Sequence, residues 1–316
     1  MTNIAGDIAQ TSTAEADRSA GRRTGGNFVF WCSVGWLVIV TLFVVVGQAN
    51  PLVDDPNLRD AQNIVAEPII TNLFKTDCVN VEPGSDESCV EKGGLFGNTS
   101  LGQDVFAQVV VGGRISIFVA VTVTAIGIGI GGLMGLLAGY LKGWVDIVVQ
   151  MIINVTLSIP ALLLVIFIVS VRGRTLFNVI LAVSLLAIPA LARIVRASTL
   201  QVADREFVKA AEVLGVKKTS ILIREVLPNV MPTLVSFAFL TTGIILVVES
   251  SLSFLGLSVQ APSITWGSII ANGRDKFQDA PHVVFAPAFV LFLTVLALNL
   301  VGDKLLKRFD IREASL

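Results

Sequence analysis

Residues 115–141 read ISIFVAVTVTAIGIGIGGLMGLLAGYL, with Arg114 before them, Lys142 after them and no charge between. A membrane span needs about 20 apolar residues, whereas a run of about 10–14 suits a buried helix of a soluble core. This run is long enough to cross a membrane. The same pattern recurs between Asp146 and Arg172, Arg174 and Arg193, Glu225 and Glu249, and Asp279 and Asp303. No charge stands between Arg23 and Asp54 either, which leaves room for a first span over residues 27–49. At about 1.5 Å per residue each block reaches across a core of about 30 Å, the long ones with some tilt. The expectation is an all-α integral membrane protein with six transmembrane helices.

A cleaved signal peptide competes for the first span, since Gly47, Gln48 and Ala49 are small. The apolar stretch from Phe28 to Val46 is longer than an h-region of about 7–15 residues, which favours an uncleaved helix. Composition agrees with a membrane protein: 53% of the 316 residues are apolar and 15% charged, against about a quarter charged in a soluble domain. A net charge of -1 gives no hint of a nucleic-acid partner. The single histidine, His282, and three scattered cysteines make no metal-ligand cluster.

Residues 1–26 are rich in Thr, Ala, Ser and Gly and read as a disordered tail. Lys and Arg concentrate at Arg18, Arg22 and Arg23, between Arg193 and Arg224, and at Lys304, Lys307, Arg308 and Arg312. With six spans all three regions share one side, so both termini are expected in the cytoplasm. Residues 50–106 then lie outside the cell, in a polar segment that contains Cys78 and Cys89. Oxidation is permitted there, so a disulfide between them is expected, with two unpaired thiols as the alternative. Arg172 and Arg174 depart from the pattern, because their loop would be external.

Gly127, Gly129 and Gly132 satisfy G-x-G-x-x-G by accident, since no phosphate reaches the middle of a span. The spacing of Gly127, Gly131, Gly135 and Gly139 is more informative. Small residues every fourth position let membrane helices approach backbone to backbone, either within the chain or between two chains. Pro160 and Pro189 fall inside the third and fourth spans, where each removes a hydrogen bond and bends the helix. Such bends line a pathway or merely pack. Glu249 lies deep in the fifth block; it reads either as a functional acid or as a group capping the turn at Ser250 and Ser251.

The most specific feature is a cytoplasmic loop over about residues 199–229. Phe207, Ala210, Ala211 and Leu214 fall at i, i+3, i+4 and i+7 on one helical face. Gly215 supplies the left-handed C-cap, and a second short helix from Ser220 to Leu227 is expected to stop at Pro228. Such a shape suits docking to a partner, or lying on lipid headgroups.

Residues 207–228, FVKAAEVLGVKKTSILIREVLP, resemble the cytoplasmic signature of ATP-binding-cassette (ABC) importer permeases. Lys209-Ala210-Ala211 occupies the place of the family's Glu-Ala-Ala triplet, Gly215 that of its glycine, and Leu227-Pro228 its end. Three further stretches look like the second of the paired permeases in dipeptide, oligopeptide and nickel importers. These are LGQD at 101–104 with GRIS at 113–116, ESSLSFLGL at 249–257 with Trp266-Gly267, and LTVLALNLVGD at 293–303. The likeness spans about residues 95–310 and omits an insertion at about 68–94.

The resemblance implies a type I ABC importer permease fold over residues 107–310. It also implies a sister permease, two ATPase subunits that bind ATP and Mg, an external substrate-binding protein and di- or oligopeptide substrates. A Walker-A phosphate loop is absent from this sequence, so no cofactor and no hydrolysis are expected in this chain. A nickel or haem importer would share nearly all these motifs. An ATPase-independent channel would need a filter or charged ring, and a secondary transporter usually shows two related halves. Neither feature is visible in the sequence.

Overall fold

A computed structural model describes residues 27–46, 96–99 and 103–313. The tail at 1–26 and the insertion with Cys78 and Cys89 lie outside the described residues. The described residues form the α-helical segments α1 Asn27–Val46, α2 Val105–Leu141, α3 Gly143–Ser158, α4 Ala161–Arg172, α5 Leu176–Ala203, α6 Glu206–Val213, α7 Lys218–Phe254, α8 Trp266–Gly273 and α9 His282–Glu313, with a 3-10 turn at Arg274–Lys276. The only extended pairing among them is a lone bridge between Asn98 and Asp104.

Helices α1, α2, α5, α7 and α9 are each long and apolar enough to cross a membrane. The block between Asp146 and Arg172 does not form one straight span. It splits into α3 and α4, which meet at 81°. Pro160 disfavours the helical conformation for the residue before it, and Ile159 is extended at φ -81 and ψ 128. Pro160 therefore divides the helix, where a kink in a continuous span was expected. Pro189 is buried within the unbroken α5.

Local chemistry sets the helix starts. Asp104 accepts the Phe106 amide at 2.8 Å to open α2, and Thr175 accepts the Asn178 amide to open α5, both as N-caps. At the far end of α1, Arg114 reaches over from α2. Its Nε donates to the Val44 carbonyl at 2.6 Å and its Nη2 to that of Val45 at 2.8 Å. Both carbonyls lie in the last described turn of α1, where such groups need a donor from outside the helix. Trp36 on the same helix donates to Thr294 on α9 at 3.2 Å.

The glycine stripe faces α5 of the same chain. A methyl group at Gly135 would sit 2.5 Å from the Ala192 carbonyl oxygen, and one at Gly139 would sit 2.7 Å from Thr199 Cβ. At Gly131 it would strike the Ile188 carbonyl. Contact at that range leaves no room for any side chain. Within the stripe the helix widens into a π-turn over Gly127–Gly131. Asp146 on α3 forms a two-pronged ion pair with Arg196 on α5, which draws α3 onto the same helix.

Gly135→Leu and Gly131→Leu should each cost several kcal/mol through overpacking against backbone that cannot retreat, beyond the usual ~1–3 kcal/mol. Gly129 has open space around it, so Gly129→Leu should retain wild-type yield and melting temperature in detergent. Equal behaviour of all three variants would refute the close packing.

Candidate functional site: the loop between α5 and α7 and the return segment after α7

The chain leaves α5 at Ala203, where Asp204 accepts a hydrogen bond from Lys142 at 3.0 Å. That bond, with the charges of Lys142 and Lys209, holds the Asp204 carboxyl below its ordinary range. Its small stabilising effect is present near neutrality and fades as pH falls through the carboxylate's titration. The pair ties the α2–α3 corner to the start of the loop.

Helix α6 is anchored from one side only. Val208 is fully buried in a cluster with Leu136, Tyr140, Val195, Ile221 and Val226, and Ala211 packs against that cluster. Tyr140 donates to Glu212 at 3.4 Å. On the outer side Phe207, Lys209, Ala210 and Leu214 are exposed, joined by Val213. Val213 is 87% exposed and Leu214 81%. The expected apolar face thus divides, with Ala211 turning inward beside Val208. Sequence reasoning missed Val208 and Val213; the i, i+3 spacing of Val208 and Ala211 carried the signal for the inner face.

Gly215 ends α6 at φ 76. Its amide bonds to the Glu212 carbonyl at 3.0 Å and the Val216 amide to the Ala211 carbonyl at 3.1 Å. These two bonds form a Schellman motif, in which the left-handed residue is nearly always glycine. The expected stop at Pro228 does not occur. From Leu222 to Val226 the helix makes a π-turn, with the Leu227 amide bonding back to the Leu222 carbonyl. That shift of register precedes the residue with no N–H, so α7 runs through Leu227 and Pro228 to Phe254. At about 1.5 Å per residue its 37 residues span roughly 55 Å.

The other end of α7 is a polar knot. Glu249 is fully buried; its Oε1 accepts from the Ser258 hydroxyl at 3.2 Å, and the Ser116 hydroxyl lies beside it. Ser253 bonds Thr265 through their hydroxyls, and Thr265 with Ser268 forms a capping box that opens α8. Gly267 lies directly against the Ser250 backbone. Trp266, wholly buried, donates from Nε1 to the Val109 carbonyl at 2.8 Å. Glu249 thus fastens the return segment after α7 onto α2. Pro160, by contrast, lies at the exposed α3–α4 break, remote in role from both ends.

Residues 131–314 match the family described as binding-protein-dependent transport system inner membrane component. The chain belongs to this family. It is 37% identical over 239 residues to the glutathione transport system permease protein GsiD of Pectobacterium atrosepticum, covering 76% of this chain and 77% of that one. The Escherichia coli protein of the same name is 42% identical over the same length. A chain of the inward-facing MetNI methionine ABC transporter superposes with a TM-score of 0.55 at 20% identity, covering 64% of this chain and 96% of that one. The protein is therefore an ABC importer permease subunit, a multi-pass inner-membrane component with the type I permease fold.

Glu249→Gln keeps an acceptor for Ser258 and should preserve stability and transport. Glu249→Leu strands the buried Ser258 hydroxyl and should cost about 1–3 kcal/mol, read as a lower melting temperature of the purified permease. Loss of transport in the Gln variant at unchanged stability would instead make the charge itself functional.

Proposed function

We propose that this permease is one half of a heteromeric translocation pathway for di- or oligopeptides, including small glutathione-like peptides, driven by two cytoplasmic ATPases that bind ATP and Mg. A sister permease completes the pathway and an external binding protein delivers the substrate. Helix α6 seats in a cleft of an ATPase subunit through Phe207, Ala210, Val213 and Leu214. The single observation that carries this reading is the uncovered apolar tip of α6, joined by the Gly215 turn to the unbroken α7. A turn closed by two backbone bonds passes a push on α6 into α7 as rigid-body motion. The peptide class is supported by the relatives named as glutathione permeases.

Both termini and the α6 loop are cytoplasmic in this reading, by the Lys and Arg bias, with α3 and α4 as one broken crossing. Discontinuous helices often border substrate routes in transporters, so the pathway passes the break at Pro160 and the buried Pro189 only bends its wall. A cysteine at Leu214 should label with a membrane-impermeant maleimide only from the inside, and one at Gln260 only from the outside. The reverse pattern would invert the topology.

Ala210→Arg places a bulky charge on the outer face of α6 without touching Val208. In the purified complex this variant should lose ATPase association and uptake by at least about tenfold, while the two permeases still assemble. Gly215→Val should act similarly, since a β-branched residue is strained at positive φ. Normal uptake with normal ATPase association in Ala210→Arg would refute docking through this helix.

A further inference from the structure

Beside the Glu249 knot, whose Ser253 and Ser268 form part of its lining, the α4–α5 turn and the segment after α7 border an open recess of about 440 Å³. Its lining includes Arg174, Ser253, Gln260, Ser268 and Asn272. A volume of this order suits a small ligand. Both walls are fixed. Asn178 donates to the carbonyls of Arg172 at 2.8 Å and Gly173 at 3.0 Å, and Thr175 caps α5, so the backbone on either side of Arg174 is held. On the opposite wall, Ser253, Thr265 and Ser268 satisfy one another in the capping network.

Arg174, Gln260 and Asn272 differ from these neighbours. All three side chains are exposed, and none makes a hydrogen bond or ion pair with another described residue. A guanidinium presents a planar fork that matches a carboxylate in two bonds. Side-chain amides supply one donor pair and one acceptor, the complement of a peptide unit. In the proposed topology Arg174 also stands on the side of the membrane where the positive-inside rule disfavours arginine. Orientation therefore gives no reason for its charge, and the recess does.

We infer that this recess receives the free carboxylate of a small peptidic substrate at the outer mouth, with Arg174 pairing the carboxylate and Gln260 and Asn272 bonding the adjacent peptide group. The inference rests on the peptide-importer reading and adds a recognition site to it. The site would act after delivery, before the substrate enters the space beside the α3–α4 break.

The test uses the complete importer in proteoliposomes: both permeases, the ATPases and the binding protein, with a radiolabelled tripeptide carrying a free C-terminus. Variants Arg174→Lys, Arg174→Gln and Arg174→Glu form a charge series at an exposed side chain, which spares the fold. Uptake should fall in that order, by roughly fivefold at Gln for loss of an accessible ion pair and further at Glu. Asn272→Ala should lower it more mildly. The concentration of binding protein giving half-maximal ATPase stimulation should stay unchanged across the series. Uptake independent of the charge at 174 overturns the inference and leaves the importer reading intact. A rise in the half-saturating binding-protein concentration also overturns it, by assigning Arg174 to protein docking. If the wild-type importer takes up no peptide, the peptide reading falls, and this inference with it.

Discussion

The close approach of α2 to α5 is the contact on which the rest of the molecule depends. In a membrane the apolar surface of a helix gains little by leaving lipid for protein, so association rests on packing and on polar contacts between helices. Glycine at every fourth position of α2 removes the side chains that would hold two backbones apart. That contact aligns both α3 and α6. Asp146 on α3 meets Arg196 on α5, and the far ends of α2 and α5 supply Tyr140 and Val202 to the cluster that seats α6. A side chain in the stripe would therefore disturb both the bundle and the loop it carries.

The second constraint is continuity of α7. One end of this helix is bound to α6 by the Gly215 turn, and the other holds the knot of Glu249, Ser253 and Thr265. Along its length α9 packs closely, with Gly302 against the Ser236 carbonyl and Leu240. A helix of this length with both ends fastened links the two faces of the membrane mechanically. The π-turn at Leu222–Val226 shifts the bonding register just before Pro228, and the helix continues through both Pro228 and Pro232.

Proline shows where sequence reading was strong and where it stopped. The apolar blocks and the left-handed cap at Gly215 follow from length and from backbone sterics and were legible; the ends of the fifth block were not, since α7 runs from Lys218 to Phe254. Three prolines in apolar surroundings nevertheless have three outcomes. Pro160 breaks its span at 81°, Pro189 is absorbed in α5, and Pro228 comes after a π-turn in α7. The lost bond is identical each time, so the outcome depends on neighbouring helices. Pro189 is held in the wall that packs on the glycine stripe, whereas the α3–α4 break is largely uncovered among the described residues. The partition of α6 was obscured for the same reason: Val208 is inward because α2, α5 and α7 converge there, which no local periodicity records.

That exposure bears on why such a chain works in an assembly. Met151, Val155, Leu162, Leu163, Phe167 and Val171 along α3 and α4 are each at least half exposed, with values from 52% to 70%. Of this pair, α4 gives the core Val165 and Val169, each 1% exposed, and much of the remaining surface is uncovered; the core lies between α2, α4, α5, α7 and α8. Breaking a span costs stability wherever backbone groups are left in lipid. The cost is tolerable where a protein neighbour or a water-lined route covers them, and Ser158, Ile159 and Pro160 are all exposed among the described residues. The unit built on α2, α5 and α7 therefore lies beside an α3–α4 pair whose break is uncovered among the described residues. In the proposed two-permease arrangement this pair is one broken crossing, and displacement of the unit by α6 changes what it faces. This is the geometry that alternating access requires.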